Sequence, residues 1–133
     1  MEKRSVIELI RTHLEEELAD LRAADSISNQ PNSQIQELER ALLMYRFLPI
    51  RDFGIDDVVA PASLSEIEFS GRKLWVLVVP QHGGLVTQLE GQPVQVVTPN
   101  SPLGEAMLGK KPGESFQVRA GAGTREYRIL RIL

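Results

Sequence analysis

Residues 101–118, S-P-L-G-E-A-M-L-G-K-K-P-G-E-S-F-Q-V, constrain the fold of this 133-residue chain more tightly than any other stretch. Ser101 is placed to cap a helix by accepting from a free backbone N–H, and Pro102 stands at the first helical position, where a missing N–H costs nothing. Leu103, Ala106, Met107 and Leu108 then put apolar groups on one side, and Gly109 supplies a left-handed stop. Within Lys-Lys-Pro-Gly (110–113), Pro112 and Gly113 read as the second and third positions of a β-turn, the Gly at positive φ. From Ser115 to Val118 polar and apolar residues alternate, as in a half-buried strand. A short helix, a sharp turn and a strand are thus each punctuated by their own residues.

The chain around this segment falls into two parts. Apolar residues at Ile7, Ile10, Leu14, Leu18 and Leu21 predict a helix from about Ser5 to Ala24, and Ile35, Leu38, Leu42 and Tyr45 a second from about Ser33 to Arg46. Between them D-S-I-S-N-Q-P-N-S (25–33) is rich in turn formers. Two such narrow stripes bury each other as an antiparallel coiled-coil hairpin; the alternative is that both helices pack flat on the C-terminal domain. Leu48-Pro49 ends the second helix, because a residue before proline is pushed out of helical geometry. This sets a hairpin at 1–48 and a second domain at 49–133, entered through I-R-D-F-G-I-D-D (50–57), a linker with a few hydrophobic anchors. In the second domain residues 63–69 alternate with one slip that suits a bulge. K-L-W-V-L-V-V (73–79), apolar on both faces, predicts a central strand. Q-H-G-G (81–84) is a turn, and residues 85–89, 94–98 and the closing 124–132 are further strands. The expected class is α+β, a helical hairpin followed by a twisted antiparallel sheet around one short helix.

The composite at 101–118, with the closing T-R-E-Y-R-I-L-R-I, resembles the C-terminal domain of the bacterial GreA/GreB transcription elongation factors. The resemblance implies an FKBP-like fold for 49–133 and a partner, bacterial RNA polymerase. The C-terminal domain of such a factor docks at the rim of the polymerase secondary channel, and its coiled coil enters towards the active site. Acidic residues at the coiled-coil tip there help to hold a catalytic Mg²⁺ and a water, because Mg²⁺ takes hard oxygen ligands and keeps several waters. The factor modulates elongation and is not itself an enzyme.

The tip departs from the family pattern, approximately Asp-Leu-x-Glu-Asn. Asp20 and Leu21 in D-L-R-A-A (20–24) fit, but Ala23 stands in place of the second acid and Ala24 in place of the Asn. Asp25 is the nearest substitute, and its spacing from Asp20 points the two carboxylates in different directions on a helix. Glu15, Glu16 and Glu17 read as a solvated helix face. The second helix, at ~1.5 Å per residue, spans only ~21 Å, shorter than the family's coiled coil. The expectation is therefore an elongation factor of GreA/GreB type with weak or no stimulation of transcript cleavage. Asp20 and Asp25 are the candidate Mg²⁺-assisting acids. Met107, Leu108, Lys110 and Lys111 form the candidate polymerase contact, since mixed apolar and basic surface suits a transient interface.

Composition narrows the rest. The net charge of −3 lies wholly in the N-terminal third, where residues 1–48 hold nine acidic and six basic residues against nine of each in 49–133. A net acidic chain without a basic face is poorly suited to bind nucleic acid except through the polymerase. There is no cysteine, so disulfides and thiolate metal sites are excluded. No apolar run is long enough to cross a bilayer, and Glu8 interrupts any signal-peptide core; the expected location is the cytoplasm. His13 and His82 lack acids at metal-ligand spacing, and no metal or cofactor is expected. G-G (83–84) and G-A-G (121–123) read as hairpin turns. Two other function classes stay open: a non-transcriptional adaptor, and a peptidyl-prolyl isomerase using Trp75, Phe69, Phe116 and Tyr127. The chain is expected to be a monomer or a weak dimer.

Overall fold

The stripes and strands of the sequence become three helices and six strands in a computed structural model, which describes residues 1–25 and 33–133 without the Asp25 side chain. In chain order these are α1 (Lys3–Asp25), α2 (Ser33–Phe47), β1 (Leu64–Phe69), β2 (Arg72–Val78), β3 (Val86–Leu89), β4 (Gln92–Val97), α3 (Pro102–Met107), β5 (Ser115–Ala120) and β6 (Gly123–Ile132). They form two compact units, Glu2–Leu48 and, with Met1, Pro49–Leu133.

The first unit is a helical hairpin. The stripe of α1 is inward at Ile7, Ile10 and Leu18, and α2 contributes buried Ala41 and Tyr45. An ion pair between Arg22 of α1 and Glu39 of α2, 2.9 Å long and exposed on both sides, ties the helices together; pairs in such a setting contribute little stability. Burial pushes the Tyr45 phenol up to about 12, because the anion would lose its hydration. The predicted turn at 25–33 lies almost entirely outside the described residues.

The second unit is one six-stranded sheet in the order β3-β4-β2-β1-β6-β5. It is mixed, not wholly antiparallel as the sequence led us to expect. β2 and β4 run parallel, with Trp75 opposite Val94 and Val78 opposite Val97, and all other pairings are antiparallel. The reason is connectivity. β3 leaves the sheet centre and pairs on the outer side of β4, so that β4 must return beside β2 in the same direction. The apolar run of β2 lies inside the sheet, with Trp75 to Val78 all buried. The slip in β1 is a register shift against β6 between Glu66 and Ile67.

One face of the sheet carries the core beneath α3: Phe53, Val59, Ile67, Val76, Val78, Val97, Met107, Phe116, Ile129 and Ile132. At its margin Tyr127 stacks on Phe116 at 5.4 Å between ring centroids and meets Phe69 in a tilted contact at 5.2 Å. On the opposite face Glu66 sits between Trp75 and Arg131 in the register. The Arg131 Nε lies 3.5 Å from the Glu66 carboxylate, and its guanidinium 4.8 Å from the Trp75 ring. Trp75 is 1% exposed and donates from Nε1 to Gln92 Oε1 at 2.6 Å. Its ring is thus held within the sheet, while Phe69 and Tyr127 are only half-buried.

Candidate protein-docking surface

α3 is held at both ends by the residues its sequence supplies. Ser101 caps it with extended backbone; its Oγ accepts from the Gly104 N–H at 3.1 Å and donates to the Thr98 carbonyl at 2.8 Å. Glu105 lies in the first turn, where a carboxylate favours the helix dipole. Gly104 is buried, and a Cβ built on it would lie 2.0 Å from the Thr98 carbonyl oxygen. The helix therefore approaches the backbone after β4 more closely than any side chain permits. Beyond the helix Gly109 has φ +79°.

The segment after α3 is stitched to the chain before β1 on one side and to β6 on the other. The Gly109 N–H donates to the Val59 carbonyl and the Val59 N–H to the Lys110 carbonyl, each at 2.9 Å. The β-turn closes from the Glu114 N–H to the Lys111 carbonyl at 3.1 Å, with Pro112 second and Gly113 third at φ +89°. The Lys111 N–H is further held by the Glu114 carboxylate at 2.9 Å. Gly113 and Glu114 then enter the ladder against Ile129.

Of the four predicted contact residues, this arrangement leaves three accessible. Met107 is fully buried in the core under the sheet and presents no surface; the apolar stripe of α3 faces inward, and Met107 is at its centre. Leu108 and Lys110 are half-buried and Lys111 is exposed. The bonds through Val59 bring a further stretch alongside them. There the Gly54 N–H donates to Asp57 Oδ2 at 2.7 Å, and Arg51 stacks on the Phe53 ring at 3.8 Å while its guanidinium lies 3.5 Å from Asp57 Oδ1. The Gly54 N–H above all, with Arg51 beside it, holds the Asp57 carboxyl below its ordinary value. Of the apolar residues in this supposed linker only Phe53 is an anchor. Ile55 is 81% exposed at the tip of the braced turn, and Ile50 and Val58 are exposed as well. Sequence reasoning missed this turn, although an Asp three residues after a Gly was a usable signal.

The candidate acids are not brought together by anything described. Asp20 is exposed on α1, while the Asp25 side chain lies outside the described residues. His13 is exposed on α1, and His82 is half-buried in the turn at 81–84 with φ +62°. Among the described residues no group of three or more His, Cys, Asp or Glu is placed to hold a metal ion, and no helix is long and apolar enough to cross a membrane.

The family model described as transcription elongation factor, GreA/GreB, C-term, matches residues 85–133, a stretch that contains α3 and the turn after it. Among solved structures the chain is similar to GreA factor homolog 1 of Thermus thermophilus, at 20% identity over 97% of this chain and 93% of that one, with a TM-score of 0.47. It is also similar to the transcription elongation factor GreA/GreB from Nitrosomonas europaea, at 18% identity over 88% of this chain and 91% of that one, with a TM-score of 0.44. No curated protein matches it.

Proposed function

We propose that this chain, whose residues 85–133 are of the GreA/GreB C-terminal type, binds bacterial RNA polymerase at the secondary channel and modulates elongation with weak or no stimulation of transcript cleavage. The observation that carries this reading is the family match over the segment in which Ser101, Gly109, Pro112 and Gly113 each take the conformation their position demands. Leu108, Lys110 and Lys111 on that segment form part of the contact. The hairpin 1–48 approaches the channel, and 49–133 docks.

Cleavage is the weaker part of the activity because the tip lacks its second acid: Ala23 stands where the family carries a carboxylate. Any hydrolysis would be carried out by the active site of the polymerase, so the chain acts as a factor and not as an enzyme, in the cytoplasm where its partner works. Binding of the full chain to bacterial core RNA polymerase, in competition with an authentic cleavage factor, tests the reading. Mutual displacement is the expected result. A folded chain that fails to bind would overturn it in favour of an adaptor built on the same fold.

A further inference from the structure

The two edges of the sheet are not equivalent. β5 carries a charge at Arg119 and lies against α3, two of the devices by which proteins blunt an exposed edge. β3 has neither. Residues 85–89 read L-V-T-Q-L, without charge or proline. Val86 is 66% exposed and Gln88 is exposed as well.

The register decides which backbone groups face outward. Leu89 and Gln92 flank the two-residue turn of Glu90 and Gly91, both at positive φ, and so form a hydrogen-bonded pair. Bonded and non-bonded pairs alternate along an antiparallel ladder. Gln88 and Pro93 are therefore a non-bonded pair, which suits the missing N–H of Pro93, and Thr87 and Val94 are bonded again. Val86 and Gln88 turn both their N–H and their C=O groups away from β4, towards the free edge.

The geometry points to a second copy of this chain as the occupant of that edge, its β3 paired antiparallel with this one about a twofold axis through Thr87. In that register Val86 meets Gln88 of the second copy and Gln88 meets its Val86, and both pairs exchange two backbone bonds. Leu85 meets Leu89 of the second copy on the other face, twice by symmetry. Glu90 falls opposite Gly84, so that no like charges meet. The strand is thus self-complementary in both its bonding pattern and its side chains, as an isologous interface requires. Its shortness makes the association weak and concentration-dependent. This inference is independent of the polymerase reading.

Sedimentation of the full chain over a concentration series tests it, with folding of each variant checked by circular dichroism. The wild type is expected to rise from monomer towards twice the monomer mass below about 1 mM. Val86→Lys with Gln88→Lys sets lysine directly opposite lysine in both pairs, where like charges repel, and is expected to remain monomeric throughout. Val86→Glu with Gln88→Lys sets opposite charges in the same pairs and is expected to restore the dimer. A wild type that stays monomeric to about 1 mM overturns the proposal. So does a dimer that survives the double lysine variant, or one that the Glu/Lys combination fails to restore.

Discussion

Gly104 shows how much of this fold turns on single positions. Its α-carbon approaches the Thr98 carbonyl so closely that a methyl group would lie 2.0 Å from the oxygen. The oxygen belongs to backbone that also receives the Ser101 hydroxyl. Neither partner can retreat without uncapping α3. Gly104→Ala is therefore expected to destabilise the protein by about 3 kcal/mol in urea unfolding. Gly123→Ala meets nothing within 4 Å and should change stability by less than about 0.5 kcal/mol. Ser65 has the opposite character. It is fully buried in β1 and its Oγ has no hydrogen-bond partner. Removing that hydroxyl relieves a desolvation cost, so Ser65→Ala should leave the midpoint unchanged or raise stability by about 1 kcal/mol.

At the scale of elements, α3 and its turn are defined by local chemistry, whereas the hairpin depends on burial. Tyr45 makes the latter measurable. Its phenol is raised from 10.0 to about 12 in the folded chain, so the folded state holds the proton more tightly than the unfolded one. Stability from this group is complete below pH 10 and is lost as the pH rises from 10 towards 12, by an amount on the order of 2 kcal/mol. Unfolding measured across that window should show the slope in the wild type and a flatter profile in Tyr45→Phe. The turn after α3 predicts a binding effect instead. Lys110→Glu with Lys111→Glu leaves the backbone bonds to Val59 and Ile129 in place. It is expected to weaken polymerase binding about tenfold, chiefly through slower association and most visibly at low salt. Unchanged affinity would remove these lysines from the contact.

For the whole molecule, the prediction concerns what the two units do in concert. If the chain stimulates any transcript cleavage, Asp20→Ala with Asp25→Ala should abolish it and leave polymerase binding intact. Loss of binding as well would mean that the acids serve docking. Much of the architecture that frames this test was legible in the residues themselves. Ser101, Pro102, Gly109, Pro112 and Gly113 act through their own dihedral preferences and hydrogen bonds, so α3 and its turn could be read residue by residue. The apolar spacing of α1 and α2 and the unbroken apolar run of β2 were equally direct, because amphipathic period reports which face is buried. Three features were not legible. The parallel pairing of β2 with β4 depends on which side of β4 the strand β3 takes, a choice between distant strands that no local residue encodes. Met107 looked like surface beside two lysines, yet the sheet covers it, since a one-sided apolar stripe does not reveal what it faces. The braced turn at Gly54–Asp57 acquires its place beside Lys110 only through backbone bonds to Val59. The sequence by itself determined the helices and strands and the punctuation of α3 and its turn, because these follow from interactions within a few residues. Only the tertiary structure decided strand order and which side chains remain at the surface, because both depend on contacts between segments far apart in the chain.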